Sequence, residues 1–312
     1  MRRRITTSYY WYAVALMLLV LLNGCSSTAG YKKPISDFQN ASLVVTESAR
    51  VYVTQLNKTQ RDAYVDRQAS EAKQIKLSEI EELQAFSPEA IETRLGALNE
   101  LSKYGDLLGQ LANSDAPEKI TSNAEDLAKS LEKLEGNINN LGGSGNTNFK
   151  GAFSPAALLI GEVARFAVEK KIQEALDKAI LGGEKPIKNL IRVIRDDIVM
   201  AYQLKRNAVS NSRVIYVDEY ETERLKGRDV VSLRKRGDEI KSVLDVWEAL
   251  PTSNPSEGLD AMATGHSALV DYAKSPKKTE DLAAFAAQME TFVARAKRVG
   301  NAVRQLQQLN ND

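Results

Sequence analysis

The chain contains very few of the residues from which metal sites and nucleophilic sites are usually built. It has one cysteine, Cys25, and one histidine, His266, among 312 residues. A zinc site of His and Cys ligands is therefore excluded, as is a di-iron bundle, which needs a Glu-x-x-His motif on each of two helices. A Ser-His or Cys-His nucleophile would have only His266 to use. We predict no catalytic residue, no metal ligand and no cofactor.

Strand-forming and helix-breaking residues are scarce as well. Aromatic residues make up 6% of the chain and there are 8 prolines, whereas Ala, Leu, Glu, Lys and Gln are plentiful. These five residue types enter a helix without the χ1 restriction of β-branched side chains. The composition therefore predicts an all-α fold, namely an elongated helical bundle of long coiled-coil-like helices and αα-hairpins. A single cysteine cannot form an internal disulfide, so packing must provide the stability.

Apolar residues recur at helical spacing along most of the chain. A long helix is predicted from Ser36 to about Lys73, because apolar side chains three, four or seven positions apart define one of its faces. An αα-hairpin follows, and its second helix carries a heptad seam. A second hairpin ends the chain with a seam of more than three heptads. The apolar positions of these three helices are Phe38, Ala41, Val45, Ala49, Tyr52, Leu56 and Ala63; Ile120, Ala124, Leu127, Leu131, Leu134, Ile138 and Leu141; and Leu282, Phe285, Met289, Phe292, Ala296, Val299, Val303 and Leu306.

Glycine-rich residues 142–153 divide the chain into two predicted helical units, 35–141 and 154–312. The composition of this segment is typical of a flexible linker. It lacks the G-K-[ST] ending of a phosphate-binding loop, so we do not assign it a nucleotide. Within the second unit, Gly182-Gly183 is predicted to end one helix and Pro186 to begin the next.

Residues 214–241 allow more than one interpretation. The β-branched residues of 214–217 are compatible with a strand, but a single strand would have no partner, so we predict a helix. A basic cluster follows, interrupted by Glu221, Glu223, Asp229 and Asp238, and it favours a solvated surface of mixed charge. The alternative is a patch for an anionic partner, such as a lipid head group or an acidic protein surface. The basic residues are Arg224, Lys226, Arg228, Arg234, Lys235 and Arg236.

Two further patterns resemble parts of catalytic sites, but we assign neither of them a catalytic role. Ser130–Lys133 and Ser275–Lys278 match S-x-x-K, the acyl-enzyme signature of penicillin-interacting proteins, but the S-D-N and K-T-G partner motifs are absent. A helical chain rich in Ser and Lys produces such matches by chance. His266 lies between Met262 and Leu269 in an apolar stripe, which predicts a histidine that faces the core.

The first 25 residues have the pattern of an export signal. Arg2-Arg3-Arg4 is followed by an apolar run from Trp11 to Leu22, and a small residue precedes the cysteine. As a helix this run of about 12 residues would span roughly 18 Å, which is too short for a hydrocarbon core of about 30 Å. We therefore predict a cleaved signal peptide over residues 1–24 and not a permanent transmembrane helix.

The segment Leu22-Asn23-Gly24-Cys25 resembles the lipobox of bacterial prolipoproteins. The resemblance covers only the leader. It implies that the Cys25 thiol receives a diacylglycerol, that the chain is cut before Cys25, and that the new amino terminus is acylated, with palmitate among the three acyl chains. Three chains hold a protein stably at a membrane. Ser26 directly follows Cys25. Members of this class that are retained at the inner membrane usually carry Asp at that position, so the resemblance implies that this protein is located at the periplasmic face of the outer membrane.

The mature chain that this resemblance implies is nearly neutral. Without residues 1–24, which hold three arginines and no acidic residue, Lys plus Arg falls from 42 to 39 against 41 Asp plus Glu. This balance gives no reason to expect nucleic acid as a partner. Residues 25–34 are predicted to form a lipidated polar tether, which would reach roughly 30 Å when extended.

These features predict a lipid-anchored periplasmic protein that acts as a structural, scaffold or protein-interaction component of the cell envelope. Its partners would be the membrane, through the lipid on Cys25, and a protein partner or a second copy, through its helical faces. The alternative is an immunity or inhibitor lipoprotein that neutralises a periplasmic toxin. An enzyme such as a cell-wall hydrolase would need two converging carboxylates, and no spacing in the chain selects such a pair, so we predict no enzymatic activity.

Overall fold

The computed structural model describes residues 29–113, 117–140, 163 and 172–309. Within these ranges the chain forms long α-helices and no β-strand, which confirms the predicted all-α helical bundle. In chain order the helices are α1 Ala29–Ser70, α2 Leu77–Glu82, α3 Pro88–Asn113, α4 Pro117–Asn140, α5 Ile172–Leu225, α6 Val230–Ala249, α7 Pro255–Lys274 and α8 Thr279–Leu309, with a 3-10 turn at Leu250–Ser253 between α6 and α7.

Helix α1 is the central rod of the bundle. It packs against α3, α5, α7 and α8. Its buried positions therefore go beyond one apolar stripe and include Ser42 and Thr46, both fully buried, together with Ser48. These short polar side chains let neighbouring helices approach closely, and the Ser48 hydroxyl is satisfied by donating to the Val44 carbonyl at 2.7 Å.

Helices α1 and α5 run parallel in a constant register. The Tyr31 hydroxyl donates to the Asp177 carboxylate near the start of the pair, and the Ser212 hydroxyl donates to Asp66 near its end, both across a separation of 146 residues. The register is thus the same over about 35 residues, or roughly 52 Å at 1.5 Å per residue. A pairing this long fixes the positions of both helix ends relative to each other.

The remaining helices pack around this pair. Helix α8 also runs parallel to α1, because the Tyr31 ring contacts the Phe285 ring and the Phe38 ring contacts the Phe292 ring seven residues further along both helices. Helix α3 is antiparallel to α1: the Asn57 amide donates to the Phe86 carbonyl at 2.7 Å and the Gln39 amide donates to Asp106 at 2.9 Å. Helix α4 folds back on α3, and α7 lies between α1, α5 and α8.

The predicted apolar seams face the core where the structure describes them. In α8 every seam position from Phe285 to Leu306 is buried, and in α4 the positions from Ile120 to Leu134 are buried. Residues 214–217 are helical within α5, as predicted. Val163 is also buried in the core, while the remainder of 141–171, including the predicted linker, lies outside the described residues.

The prediction that residues 25–34 form an extended tether is wrong for its second half. Helix α1 begins at Ala29 and contains Pro34. Tyr31 and Ile35 are fully buried, and the Tyr31 ring packs edge-on against Tyr272 with centroids 4.9 Å apart. Apolar burial on one helical face therefore outweighs the single backbone hydrogen bond that Pro34 removes.

The predicted helix boundary at Gly182-Gly183 and Pro186 is also wrong, because α5 continues through all three residues. Gly183 is a packing residue: a Cβ there would lie 2.9 Å from the Tyr104 ring of α3. Pro186 and the following Ile187 are buried against the same core. The absence of a Cβ at Gly183 lets the Tyr104 ring pack directly on the helix backbone. This packing favours continuation of the helix over an end at Gly182-Gly183.

The two predicted helical units share one continuous core. Buried side chains from α1, α3 and α4 belong to the same hydrophobic cluster as those of α5, α7 and α8. Residues on both sides of the glycine-rich segment thus pack together, and the described part of the chain is not two separately folded bodies. The reason is α1, which finds most of its apolar neighbours beyond residue 172.

Replacement of Gly183 by Ala should destabilise the protein by about 1–3 kcal/mol, because the new Cβ would overlap the Tyr104 ring in a fully packed region. The matched control is Gly237→Ala in α6, where a Cβ meets nothing within 4 Å. That change should stabilise by roughly 0.5–1 kcal/mol through helix propensity. Urea unfolding followed by circular dichroism measures both, and equal effects at the two positions would show that Gly183 is not a packing residue.

Candidate functional site

The lipidation residues predicted from the sequence, Leu22, Asn23, Gly24, Cys25 and Ser26, lie outside the described residues. The lipobox therefore stays a prediction. Among the helices that the structure describes, none is both long and apolar enough to cross a membrane.

His266 is a core residue, as predicted. Its side chain is 2% exposed, and its Nε2 lies 3.1 Å from the Tyr104 hydroxyl. Burial lowers the pKa of His266 to about 4, with Glu184 raising it and Lys188 lowering it further. The imidazole is thus neutral at pH 7 and serves to satisfy the buried Tyr104 hydroxyl.

Neither S-x-x-K match forms a serine–lysine pair of its own. The Ser130 hydroxyl receives a hydrogen bond from Lys103 of α3 at 3.1 Å, and the same ammonium is bound by Glu100 at 3.0 Å. The Ser275 hydroxyl donates to the Tyr272 carbonyl at 2.9 Å and accepts from the Lys277 amide at 3.1 Å. Both serines therefore have structural hydrogen bonds. In the part of the chain that is described, no cluster of His, Cys, Asp and Glu side chains has the arrangement of a metal site.

The exposed apolar side chains concentrate at one end of the bundle. At this end α1 ends at Ser70 and the chain turns from α5 into α6, and we call this region the distal end. Of eleven large apolar side chains that the described residues expose, Leu43 and Leu181 lie elsewhere and the other nine lie at the distal end. These nine are Ile75, Leu77, Leu83, Val214, Val217, Leu225, Val230, Val231 and Leu244. Contiguous exposed apolar surface is typical of interaction sites.

The distal end exists because α5 is longer than its partner. In the register of the parallel pair, Ser70 of α1 faces residue 216 of α5, so about nine residues of α5, or roughly 13 Å, project past α1. Over this length α6 is the main neighbour of α5. A pair of helices cannot bury all of its apolar positions, so some of them remain in solvent.

Two depressions flank the projecting hairpin. A cleft of about 800 Å³ separates the end of α1 from α5 and α6, and its lining includes Tyr64, Arg67 and Asp218. A smaller groove of about 340 Å³ runs between α5 and α6 on the other side. The groove is mostly apolar and is lined by Ser210, Arg213, Val214, Val217, Asp218, Ile240, Val243 and Leu244. Its concave shape and helical walls suit a partner helix.

A charge network holds the hairpin together. The Arg236 guanidinium of α6 binds Glu219 at 3.0 Å and Glu223 at 3.2 Å on α5, and Glu239 at 2.7 Å on its own helix. The hydrogen bond to Glu239 and the other two carboxylates raise the pKa of Arg236 well above its ordinary value. Three carboxylates around one planar cation fix the spacing of the two helices.

The turn between the two helices is equally defined. Gly227 adopts φ +73°, and the chain closes α5 with hydrogen bonds from the Gly227 amide to Arg224 and from the Arg228 amide to Glu223. Asp229 then begins α6 by accepting from the Val231 amide at 2.8 Å and the Ser232 amide at 3.0 Å. These bonds lower the pKa of Asp229.

The basic cluster divides into paired and unpaired cations. Arg224 is bound by Glu221 at 2.6 Å, and Arg236 is held as described, which agrees with a surface of mixed charge. In contrast, Lys226, Arg228, Arg234 and Lys235 are exposed and form no ion pair within the described part of the chain. The pairing pattern, which the sequence does not contain, leaves four unpaired cations at the turn and in the first turns of α6.

The sequence predictions identified the charges of this region but missed its apolar side chains. A signal was present: Leu225 stands directly before the Lys226-Gly227 turn, and Val230-Val231 follow the Asp229 cap. Turns normally carry polar residues at such positions. Branched aliphatic residues on both sides of the turn are therefore a sequence signal for an exposed apolar surface.

Comparisons with known proteins add no relative for this chain. No protein-family model, curated protein or solved structure matches it.

Stability should fall as the pH drops from 6.5 to 4, in part because of His266. Its pKa is about 4 in the folded protein and 6.5 ordinarily, so between these values the unfolded state binds the extra proton. Above pH 6.5 His266 is neutral in both states and does not reduce the free energy of unfolding. At pH 4 the proton that the unfolded state binds lowers this free energy by about 3 kcal/mol. Urea unfolding of the wild type and His266→Leu across pH 4–7 measures it. The free-energy difference between the two proteins should change by that amount, and parallel curves would contradict the assignment.

Replacement of Lys205 by Met should stabilise the protein at pH 7 by up to about 3 kcal/mol. Lys205 is 8% exposed, lies 5.5 Å from the Tyr52 ring centroid and has no paired carboxylate within the described residues. Burial lowers its pKa to about 8. Because the unfolded state binds more protons above that pH, the advantage of Met should shrink towards pH 10. The exposed Lys129→Met is the control, and it should change the free energy of unfolding by less than about 0.5 kcal/mol.

Proposed function

We propose that the chain is a lipid-anchored scaffold or interaction protein of the bacterial cell envelope, which engages a protein partner through its distal end. The observation that supports this most directly is the concentration of exposed apolar side chains at one end of an otherwise well-packed bundle. An exposed apolar surface of this kind lowers the solubility of a free monomer, and it is stabilised when a partner covers it.

The geometry of α1 fits an anchor at the opposite end. Helix α1 has 42 residues and is therefore about 63 Å long. Cys25 precedes its first residue, Ala29, by four positions. A lipid on Cys25 would attach the end of α1 that begins at Ala29, which we call the proximal end, to the membrane, and the distal end lies at the other end of this helix. The outer membrane is the proposed location, since Ser26 follows the cysteine.

The apolar groove between α5 and α6 is the proposed contact for a partner helix. Val214 and Val217 on α5 are 60% and 45% exposed, and Leu244 on α6 is 36% exposed. Burial of three such side chains would contribute several kcal/mol, at about 25 cal/mol per Å² of apolar surface.

Photo-crosslinking in intact bacteria tests the proposal. A photoreactive amino acid at Val217 should give a covalent adduct with one defined envelope protein or with a second copy of the chain. The same residue at Leu43, which is 52% exposed but far from the distal end, is the matched control and should give none. The Val217 adduct should depend on the anchor, so that Cys25→Ser abolishes it and moves the chain out of the membrane fraction.

Two outcomes would refute the proposal. Adducts of equal yield at Val217 and Leu43 would indicate non-specific contact. A Cys25→Ser chain that still sediments with membranes after removal of the leader would refute the lipid anchor.

A further inference from the structure

The tip of the α5–α6 hairpin has the composition of a membrane-contacting element. Leu225, Val230 and Val231 are 77%, 70% and 78% exposed, and no other large apolar side chain of the described residues exceeds the 70% exposure that Val230 shares with Leu77. We call these three side chains, together with Lys226, Arg228 and Lys235, the hairpin tip. We propose that the hairpin tip binds an anionic lipid surface, with its apolar side chains inserted among the lipids and its cations at the phosphate level.

The shape of the hairpin tip favours a lipid surface over a protein. The three apolar side chains stand on the outside of a tight turn, so the surface is convex. A protein partner would need a concave site that matches it, whereas a fluid bilayer adapts to a protruding apolar group. The concave groove lined by Val214 and Leu244 lies further down the hairpin and is a separate surface.

The charges of the hairpin tip complement an anionic surface. Residues 224–236 contain six basic residues and one acidic residue, Asp229. The Asp229 carboxylate is occupied by two backbone amides at the start of α6. Arg224 and Arg236 are paired within the hairpin, and Arg234 lies within electrostatic range of Asp238. Lys226, Arg228 and Lys235 each lie within four residues of one of the apolar side chains along the chain, and each cation favours binding to an anionic membrane by roughly fivefold.

The rigidity of the turn supports the same assignment. The closing hydrogen bonds at Gly227 and Arg228 and the Asp229 cap fix the backbone on both sides of the tip. The fixed backbone keeps Leu225, Val230 and Val231 at positions where their side chains are at least 70% exposed. Little backbone order is therefore lost when a surface binds them.

A local fluorescence measurement tests the proposal independently of any lipid on Cys25 and of any partner in the groove. The full chain carries Cys25→Ser and Val231→Cys, with an environment-sensitive NBD probe on the new thiol. It is mixed with vesicles of phosphatidylcholine alone or with 30% phosphatidylglycerol. The probe reports the tip itself, so insertion of other segments does not mimic the signal. The same probe at Leu43→Cys is the control for position.

The probe at residue 231 should shift to the blue and gain intensity on the anionic vesicles, with at least tenfold tighter binding than on zwitterionic ones. Lys226→Glu together with Arg228→Glu should weaken that binding at least tenfold. Arg295→Glu together with Lys297→Glu, on the exposed surface of α8, is the charge-matched control and should change it less than threefold. Leu225→Ser with Val230→Ser should keep the probe in a polar environment. High salt should weaken the binding, since the attraction is screened.

Any of three results would overturn the proposal. The probe at residue 231 could remain in water on anionic vesicles, which would leave a protein as the occupant of the tip. It could respond equally to both vesicle compositions, or the two double charge reversals could act alike. The replaced side chains are exposed and should leave the urea midpoint unchanged, so a loss of binding is not a loss of fold.

Discussion

The enclosure of α1 by four helices is the constraint on which the rest of the structure depends. Three of these helices bring a glycine against it. A Cβ at Gly258 of α7 would lie 3.1 Å from Val45, and one at Gly300 of α8 would lie 2.5 Å from Val44. Gly105 of α3 faces the α1 backbone itself, with a Cβ position 3.5 Å from the Gln39 Cα. Such close approaches leave α1 little freedom to slide, so its register fixes the positions of its neighbours.

The two ends of the bundle differ as a consequence of this register. At the proximal end the Tyr272 and Phe285 rings stack with centroids 4.8 Å apart beside Tyr31, and Lys277 pairs with Asp177 at 3.0 Å. This end is closed by aromatic packing. At the distal end α1 stops at Ser70 while α5 continues to Leu225, so α1 leaves the last turns of the hairpin uncovered. The exposed apolar surface therefore follows from a difference in helix length and not from a defect in packing.

The sequence predicted the helical seams well but placed two helix boundaries wrongly, for a physical reason. Heptad positions such as Met289 and Phe292 depend only on which side of a helix is apolar, and this information is local. The boundaries at Gly183 and Pro34 depend on neighbours far along the chain. Gly183 is needed by Tyr104 of another helix, and Pro34 is tolerated because Tyr31 beside it packs on α7. A glycine that fits a ring and a glycine that ends a helix look the same in a sequence.

The unpaired cations of the distal surface were beyond sequence reasoning because they are defined by pairing and not by composition. The basic cluster has almost as many acids as bases around it, and only the geometry shows that Arg236 takes up three of the carboxylates. What remains is a turn with unpaired cations and three aliphatic side chains. The same network stiffens the hairpin, so contact with a surface orders few additional degrees of freedom. Arg236 joins the two helices through Glu219 and Glu223, and neither carboxylate forms an ion pair with Lys226 or Arg228 within the described residues. The interaction that holds the hairpin together therefore leaves the cations of its tip available.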